Sequence, residues 1–303
     1  MYFALTYRSM KFCDGISIVL IAILYNTDRK DNRNMQTKDE SKLINKKKEV
    51  IFGTILTITG GILWGISGVC GQFLFQNKEV TASWLVPIRL VTAGLLLLFY
   101  YVIRDKGKAF DIWRSKRNRT DIIVYGLAGM MLCQYSYFQT IEWSNAGTAT
   151  VIQYLGPALI VVWVCLRMKR LPEKKEVLGV ILAVTGIFLI ATHGNPTSLA
   201  LSQKALIMGL ISAVSVVIYT VKPARLQAQF DTPLVLAWGM LIGGVVLMAV
   251  FRPWDYQVIF DRETFMALAF IILFGTMAGF SMYLTGVKMI GSVKASLFSC
   301  VEP

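Results

Sequence analysis

The sequence has few charged residues, and this scarcity excludes most soluble classes of protein. Asp, Glu, Lys and Arg make up only 16% of the 303 residues, whereas globular domains contain about 25%. Hydrophobic residues make up 55%, and the mean hydropathy is +0.57. So few charges cannot cover that much apolar surface in water. Ordinary counts of 24 Gly, 8 Pro and 5 Cys also exclude collagen-like, disordered and disulfide-rich chains.

Several signatures of catalysis and nucleotide binding are missing as well. The single histidine, His193, ends an apolar run, and the cysteines are scattered without a C-x-x-C pair. The chain lacks a G-x-x-x-x-G-K-[ST] loop, a G-x-G-x-x-G fingerprint and an H-E-x-x-H motif. An intramembrane enzyme would need a cluster of His, Asp, Glu, Ser or Cys side chains, which the sequence does not offer. We therefore expect no enzyme activity, no ATP-driven pumping, no cofactor and no metal site.

Long uncharged runs fill most of the chain after residue 50. A hydrocarbon core of about 30 Å needs about 20 apolar residues in a helix. Eight runs approach or exceed that length, and only the second contains a charge. They are residues 51–76, 84–103, 122–141, 143–166, 177–192, 205–221, 232–251 and 264–287. A ninth begins near Met289. Because these runs are apolar on every face, they predict an all-α polytopic membrane protein and not a barrel.

The basic residues alternate between loops. Lysines precede the first span, and seven Lys or Arg residues lie between residues 104 and 119, after the second. Five more lie between residues 167 and 175, after the fourth, whereas the loops after spans one, three and five hold one, none and one. This bias places the N-terminus in the cytoplasm. The net charge of +13 is then a topology signal that needs no nucleic-acid partner. The short loops favour a bacterial inner membrane, with the lipid bilayer as the main partner.

The N-terminal segment differs from the rest. Residues 16–25 form an apolar run that is too short to span a bilayer, and Met35 opens a polar, lysine-bearing stretch. We interpret residues 1–50 as an N-terminal extension followed by a polar cytoplasmic leader. An upstream extension without a structural role is the favoured reading of residues 1–34. A cleaved signal or an interfacial anchor is the alternative.

An internal repeat relates the two halves of the chain. When the sequence is aligned with itself at one constant offset, Gly129 aligns with Gly275, Tyr137 with Tyr283, and Pro157 with Pro303. The repeats are predicted at residues 51–193 and 204–303. Because each unit holds five helices, the second copy should cross the membrane in the opposite sense, as in many secondary transporters.

The repeat also predicts a missing part. The first unit continues beyond Pro157 through a complete fifth helix that ends at His193, whereas the sequence stops at the equivalent Pro303. We therefore expect ten helices in the complete architecture and about eight and a half here, with the chain truncated at its C-terminus.

Three segments together resemble the EamA family of the drug/metabolite transporter superfamily. Residues 61–67 read Gly-Ile-Leu-Trp-Gly-Ile-Ser, and Arg89 lies within the apolar second span. Residues 146–149, Ala-Gly-Thr-Ala, lead to Pro157, and residues 295–303 contain the Glu302–Pro303 pair. The resemblance implies ten helices with both ends in the cytoplasm, and transport of small metabolites, amino acids or drugs.

Polar groups inside the spans are the candidate site, because each is costly in lipid unless it faces the protein interior. Arg89 is either an anion-binding contact or a structural arginine. Glu302 is either a proton- or amine-binding carboxylate or a group that orients backbone freed by Pro303. Gln134 and Tyr137 share a helix face that either lines a cavity or bonds between helices. The predicted substrate-binding residues are Trp64, Arg89, Gln134, Tyr137, Gln153, Tyr154, Tyr283 and Glu302, with helix kinks at Pro157 and Pro303.

The sequence thus predicts a secondary transporter that moves a small molecule by alternating access. A non-transporting fragment of a broken transporter gene is the alternative. Whether the protein forms a homodimer is left open by the sequence.

Overall fold

The computed structural model describes residues 38–105, 108–192 and 202–299, and all of these lie in helices or in the turns and short loops that join them. The described part of the first 47 residues, 38–47, is helical. Residues from Lys48 onward form one compact unit. The predicted extension over residues 1–34, together with Glu302 and Pro303, lies outside the described residues.

The first half contains the spans predicted from residue 51 to residue 192. Its first helix begins at Lys38, within the predicted polar leader, since Lys and Glu are good helix formers even where the chain is not apolar. A 3₁₀ turn, Lys108–Trp113, and a π-helical segment, Tyr125–Met131, interrupt the α-helices. The α-helices are α1 (Lys38–Asn77), α2 (Ala82–Asp105), α3 (Lys116–Val124), α4 (Leu132–Trp143), α5 (Ala146–Gln153), α6 (Leu155–Met168) and α7 (Lys174–Thr192).

The second half repeats this plan. A 3₁₀ turn, Pro253–Asp255, and a second π-helical segment, Ile271–Ala278, lie between its α-helices. These helices are α8 (Gln203–Val221), α9 (Ala224–Gln227), α10 (Thr232–Phe251), α11 (Arg262–Phe270), α12 (Gly279–Ile290) and α13 (Ser292–Phe298).

Six stretches of the described chain are long and apolar enough to cross a membrane. They are Lys46–Asn77, Ala82–Arg104, Ala146–Met168, Gln203–Gln227, Thr232–Phe251 and Arg262–Ile290. The other two predicted spans are also helical, as α3–α4 with its π segment and as α7. The α3–α4 stretch is less apolar because α4 carries buried polar side chains, Gln134, Ser136, Gln139 and Thr140. The predicted all-α polytopic membrane fold is confirmed.

The outer faces of these helices are apolar, as a lipid environment requires. Large hydrophobic side chains that would be costly in water are more than half exposed. Among them are Phe99, Ile103, Leu166, Leu182, Val214, Val250 and Phe265. Glycines such as Gly60, Gly94 and Gly244 lie on inner faces, where helices approach one another, and so do buried small polar residues such as Ser212 and Ser215.

The elements of the two halves follow one register. At the offset found in the sequence, both ends of α11 coincide with those of α3, and the second π segment begins at Ile271, the counterpart of Tyr125. Helix α13 likewise begins at Ser292, the counterpart of the first residue of α5, Ala146. This is the offset at which the glycines, tyrosines and prolines of the sequence coincide.

Helices α2 and α10 pack against each other with reciprocal contacts. A Cβ atom placed on Gly94 would lie 2.8 Å from Cγ of Leu241, and one placed on Gly244 would lie 2.8 Å from Cγ2 of Val91. Aligning the first residue of α10 with the first residue of α2 pairs Gly94 with Gly244 and Val91 with Leu241. Exchanged contacts of this kind are those of a pseudo-two-fold relation between the halves.

Candidate functional site

A small cavity lies between the two halves. Its volume is about 30 Å³, enough for one or two water molecules. The first half contributes α1, α2, α4 and α5, and the second contributes α8 and the π segment with α12. The lining residues are Trp64, Ser67, Arg89, Cys133, Gln134, Tyr137, Phe138, Gln153, Tyr219, Gly275 and Phe280.

Arg89 is the charged residue of this lining. It lies in the apolar helix α2 and is only 2% exposed. Its Nη2 donates a hydrogen bond to Oε1 of Gln134, and its guanidinium carbon lies 4.2 Å from the ring centre of Phe138. The Nε and Nη1 atoms are buried and have no hydrogen-bond partner among the residues that the structure describes. The guanidinium is therefore held in place by α4 while part of its donor capacity is unused.

A helix break brings Gln153 to the cavity. Helix α5 ends at Gln153, and Tyr154 separates it from α6, three residues before Pro157. Pro157 has no N–H to donate to the carbonyl group of Gln153, so an uninterrupted hydrogen-bond ladder is not available there. The side-chain amide of Gln153 donates to Oγ of Ser212 on α8. This contact joins the first half to the second beside the cavity.

Trp64 of the first half and aromatic side chains of the second half form the opposite wall. The ring centre of Trp64, on α1, lies 4.7 Å from that of Phe280 and 4.9 Å from that of Tyr283. Tyr219 meets Trp64 edge-on, with the centres 6.4 Å apart. The indole N–H of Trp64 is buried without a hydrogen-bond partner in the described part of the chain. The wall is therefore mostly apolar and carries a second unused donor.

Tyr137 and Tyr283, which occupy equivalent positions in the two repeats, contact different hydroxyl groups. The hydroxyl group of Tyr137 lies 2.9 Å from that of Thr150 on α5. The hydroxyl group of Tyr283 lies 3.4 Å from that of Thr220 on α8. A smaller cavity of about 20 Å³ next to the first is lined by Tyr154, Tyr283 and Ser299, together with Trp64 and Gln153.

The structure brings the described site candidates together. Trp64, Arg89, Gln134, Tyr137 and Gln153 line the main cavity, and Tyr154 and Tyr283 line the adjoining one. Glu302 and Pro303 lie outside the described residues. The sequence-based set did not include Cys133, Phe138 and Tyr219, because an apolar residue of a membrane helix gives no signal of whether it faces protein or lipid. Phe280 could have been included, since it is the repeat counterpart of Gln134. Within the described residues, no group of three or more His, Cys, Asp or Glu side chains could hold a metal ion.

One ion cluster, here called the Lys78 cluster, joins the halves at the end of α1. The ammonium group of Lys78 lies 2.5 Å from Oδ2 of Asp261 and 2.8 Å from Oε2 of Glu263. Asp261 also caps α11 by accepting a hydrogen bond from the N–H of Thr264. The hydrogen bonds from Lys78 and from the Thr264 N–H hold the pKa of Asp261 well below its ordinary range.

A second cluster, the Asp121 cluster, joins the halves near the other end of α2. Asp121, which lies just before the predicted third span, pairs with Lys222 at 2.9 Å and with Nε of Arg225 at 2.6 Å. Burial raises the pKa of Asp121, but the hydrogen bonds from Lys222 and Arg225 outweigh it and leave that pKa below its ordinary value. Arg104 pairs with Asp231 in the same region. Each end of α2 is therefore tied to the second half by charges.

Comparisons with known proteins agree with this architecture. The profile of the EamA-like transporter family matches residues 51–192 and 203–303. The uncharacterized inner membrane transporter YicL of Salmonella typhimurium is 35% identical over 251 residues, which is 83% of each chain. The uncharacterized transporter YyaM of Bacillus subtilis is 25% identical, over 76% of this chain and 74% of its own. A WAT1-related protein of Arabidopsis thaliana is 21% identical, over 75% of this chain and 67% of its own.

Proposed function

Because this chain belongs to the EamA-like transporter family, we propose that it is a secondary transporter that moves a small molecule by alternating access. The proposed substrate site is the central cavity and its neighbour, with Trp64, Arg89, Gln134, Tyr137, Gln153, Tyr154, Tyr283 and Glu302 as contacts. The break before Pro157 acts as a hinge, and the kink expected at Pro303 acts as its counterpart. The cytoplasmic membrane is the location, and the N-terminus lies in the cytoplasm, as the basic loops indicate.

The observation that carries the proposal is that the central cavity has walls from both halves. Trp64, Arg89 and Gln134 belong to the first half, whereas Tyr219 and Phe280 belong to the second. A movement of one half against the other therefore changes the cavity directly. At about 30 Å³ the cavity is too small for a metabolite, so a substrate must enter through such a movement.

The two ion clusters support alternating access because they lie at opposite ends of α2 and both join the halves. Opening one side requires that the Lys78 cluster separate, and opening the other requires that the Asp121 cluster separate. Each cluster is open to solvent on one side, since Asp261 is 40% and Lys222 is 38% exposed, whereas Lys78 is 16% and Asp121 is 13% exposed. Solvent that reaches one partner weakens such a pair, so a transport cycle can break and remake it.

Reconstitution tests the transport proposal. Purified protein in liposomes, without ATP, should give saturable counterflow of at least one member of a panel of organic acids, amino acids, nucleosides and organic cations. Protein-free liposomes are the control. If no member of the panel shows saturable flux, the protein is not a secondary transporter of small metabolites.

Labelling of Cys133 tests the role of the clusters. Cys133 lines the cavity and is 2% exposed, so a thiol reagent reaches it only when one side opens. In a variant whose other four cysteines are replaced by Ala, Asp261→Asn should accelerate labelling by a membrane-impermeant reagent several-fold from the external side. Asp121→Asn should do so from the cytoplasmic side, and Arg114→Gln, in an exposed loop, should change neither. Equal labelling from both sides in both variants would contradict alternating access through these clusters.

A further inference from the structure

The central cavity has more hydrogen-bond donors than its own residues use. Within residues 38–105, 108–192 and 202–299, Nε and Nη1 of Arg89 are buried without a hydrogen-bond partner, and so is the indole N–H of Trp64. Both side chains can only donate, because neither guanidinium nor indole nitrogen accepts a hydrogen bond. Both residues line the same cavity. An acceptor-rich ligand would satisfy all of these groups at once.

The position of the guanidinium group limits how a ligand can approach it. The central carbon of the guanidinium lies over the ring of Phe138, 4.2 Å from the ring centre. Nη2 is taken by Gln134, which is itself 5% exposed and fixed on α4. The unused N–H groups therefore lie at the edge of the planar guanidinium group, and the contacts with Gln134 and Phe138 already fix the orientation of that group. This preorganised geometry suits an anion that approaches in the plane of the guanidinium.

The charge balance of the described lining, to which Arg89 brings a positive charge, indicates a monoanion. Arg89 is the charged member of the described lining, and an unpaired buried charge is strongly unfavourable in a membrane protein. A single negative charge would neutralise it, whereas a dianion such as a phosphate monoester would leave one charge buried. One part of the remaining lining is an aromatic cluster, in which Trp64, Tyr219 and Phe280 are in mutual contact. Such a wall suits an apolar, planar body.

We infer that Arg89 binds the negatively charged end of the substrate, and that the substrate is a small organic monoanion with a carboxylate group and an apolar or aromatic body. This inference deepens the proposed function and rests on it. Arg89 makes the contact with the carboxylate, Trp64 donates a further hydrogen bond, and Gln134 positions the guanidinium. The second half supplies the wall for the body of the substrate.

Five probes that share a phenyl ring test the inference, because they differ in the group attached to it. They are benzoate, benzamide, benzylamine, phenyl phosphate and phenylalanine. Binding to the protein in lipid nanodiscs is measured by calorimetry, with protein-free nanodiscs as the control for partitioning. Benzoate should bind at least about tenfold more tightly than benzamide, since a charge-assisted hydrogen bond is worth about that factor or more. Benzylamine should not bind, and phenyl phosphate and phenylalanine should bind more weakly than benzoate.

Variants at Arg89 make the test specific. Arg89→Gln should reduce the affinity for benzoate to that for benzamide, and Arg89→Lys should lie between Arg89→Gln and the unmodified protein. Arg114→Gln removes the same charge from a side chain that is 83% exposed, and it should have no effect. Thermal unfolding of each variant shows whether the fold is retained, and Arg89→Lys keeps the test open if Arg89→Gln fails to fold.

Several results would overturn the inference. Equal affinities for benzoate and benzamide, tighter binding of phenyl phosphate, or no binding of any probe would each do so. A further contradicting result is benzoate binding that is lost in Arg89→Gln and in Glu302→Gln but restored in the double variant. That pattern would show that Arg89 pairs with a carboxylate of the chain and not with the ligand. Counterflow separates this inference from the transport proposal. If a neutral or cationic solute shows saturable flux, and Arg89→Gln does not change that flux, the inference is wrong but the transport proposal stands. If benzoate binds and no solute shows flux, the anion site is supported and the transport proposal is contradicted.

Discussion

The two halves of the molecule share a backbone plan but differ in the side chains that they present to the cavity. The first half contributes Arg89, Gln134 and Gln153. The second half has Gly239, Phe280 and Ser299 at the corresponding positions, so the arginine and both glutamines come from one half, whereas aromatic side chains come from both. A symmetric scaffold therefore carries an asymmetric site. A ligand in this cavity has one preferred orientation, and the helices around it can still move as two equivalent units.

The largest effect of a substitution on the free energy of unfolding is expected at Gly239, the counterpart of Arg89. A Cβ atom there would lie 2.3 Å from Cε1 of Tyr125, a fully buried ring. Gly239→Ala should lower the free energy of unfolding by about 2–3 kcal/mol, the upper part of the range for overpacked cores. Gly179→Ala is the control, because no atom lies within 4 Å of its Cβ position. Denaturant unfolding of the purified protein measures both, and equal stabilities would show that the contact of α10 with Tyr125 adapts freely.

The reciprocal contact between α2 and α10 should behave symmetrically. Gly94→Ala and Gly244→Ala each place a Cβ atom 2.8 Å from the nearest side-chain atom of the other helix. We expect each to cost about 1–2 kcal/mol of unfolding free energy, with the two values within about 0.5 kcal/mol of each other. The same unfolding experiment checks this. Values that differ by more than about 1 kcal/mol would break the pseudo-two-fold comparison at this interface.

The smallest effects are expected at the two ion clusters. Asp121 is 13% exposed and pairs with two cations, whereas Asp261 is 40% exposed. Asp121→Asn should therefore lower the free energy of unfolding more than Asp261→Asn does, and the effect of Asp121→Asn should be about 1 kcal/mol or less. Both carboxyl groups have pKa values below their ordinary ones in the folded protein. Their stabilising contributions are thus present above the unfolded pKa of about 3.9 and are lost as the pH falls through the lower folded pKa.

Stability as a function of pH checks the sign of this effect. The unmodified protein should lose stability below about pH 4, and each variant should lose less over the same interval because one of the two contributions is already absent. Added salt should weaken the exposed Lys78 cluster more than the Asp121 cluster. A variant with the same pH profile as the unmodified protein would show that its carboxylate does not contribute.

Much of the fold could be predicted from the sequence, because each predicted property depends on local composition. The apolar runs predicted the helices, and Gly129, Gly275, Tyr137 and Tyr283 predicted the repeat offset that the helix bounds follow. The clusters could not be predicted, since Arg225 and Asp121 are 104 residues apart and Lys78 and Asp261 are 183 apart. Nothing in a one-dimensional pattern selects such partners among many surface charges.

The polar residues of the candidate site could be predicted from the sequence. Arg89, Gln134 and Gln153 stand out in membrane helices because burying them in lipid is costly. Phe138 and Tyr219 do not stand out, since aromatic residues are equally suited to lipid-facing and interior positions. The π segments were also not predicted, because a change from one backbone hydrogen-bonding pattern to another leaves no trace in composition. The hydroxyl group of Thr276, which bonds to the carbonyl group of Ile271 at 2.7 Å, is a visible sign of it only in three dimensions.

The two π segments bear on the order of events in the history of this chain. A π turn accommodates one residue more than an α turn. The segments begin at Tyr125 and Ile271, at one register in both halves. If the halves descend from one duplicated gene, the π turn is older than the duplication. The difference between Arg89 and its counterpart Gly239 then arose after it. The wide turn is therefore the part that both copies inherited, whereas the charge in the cavity distinguishes one copy from the other.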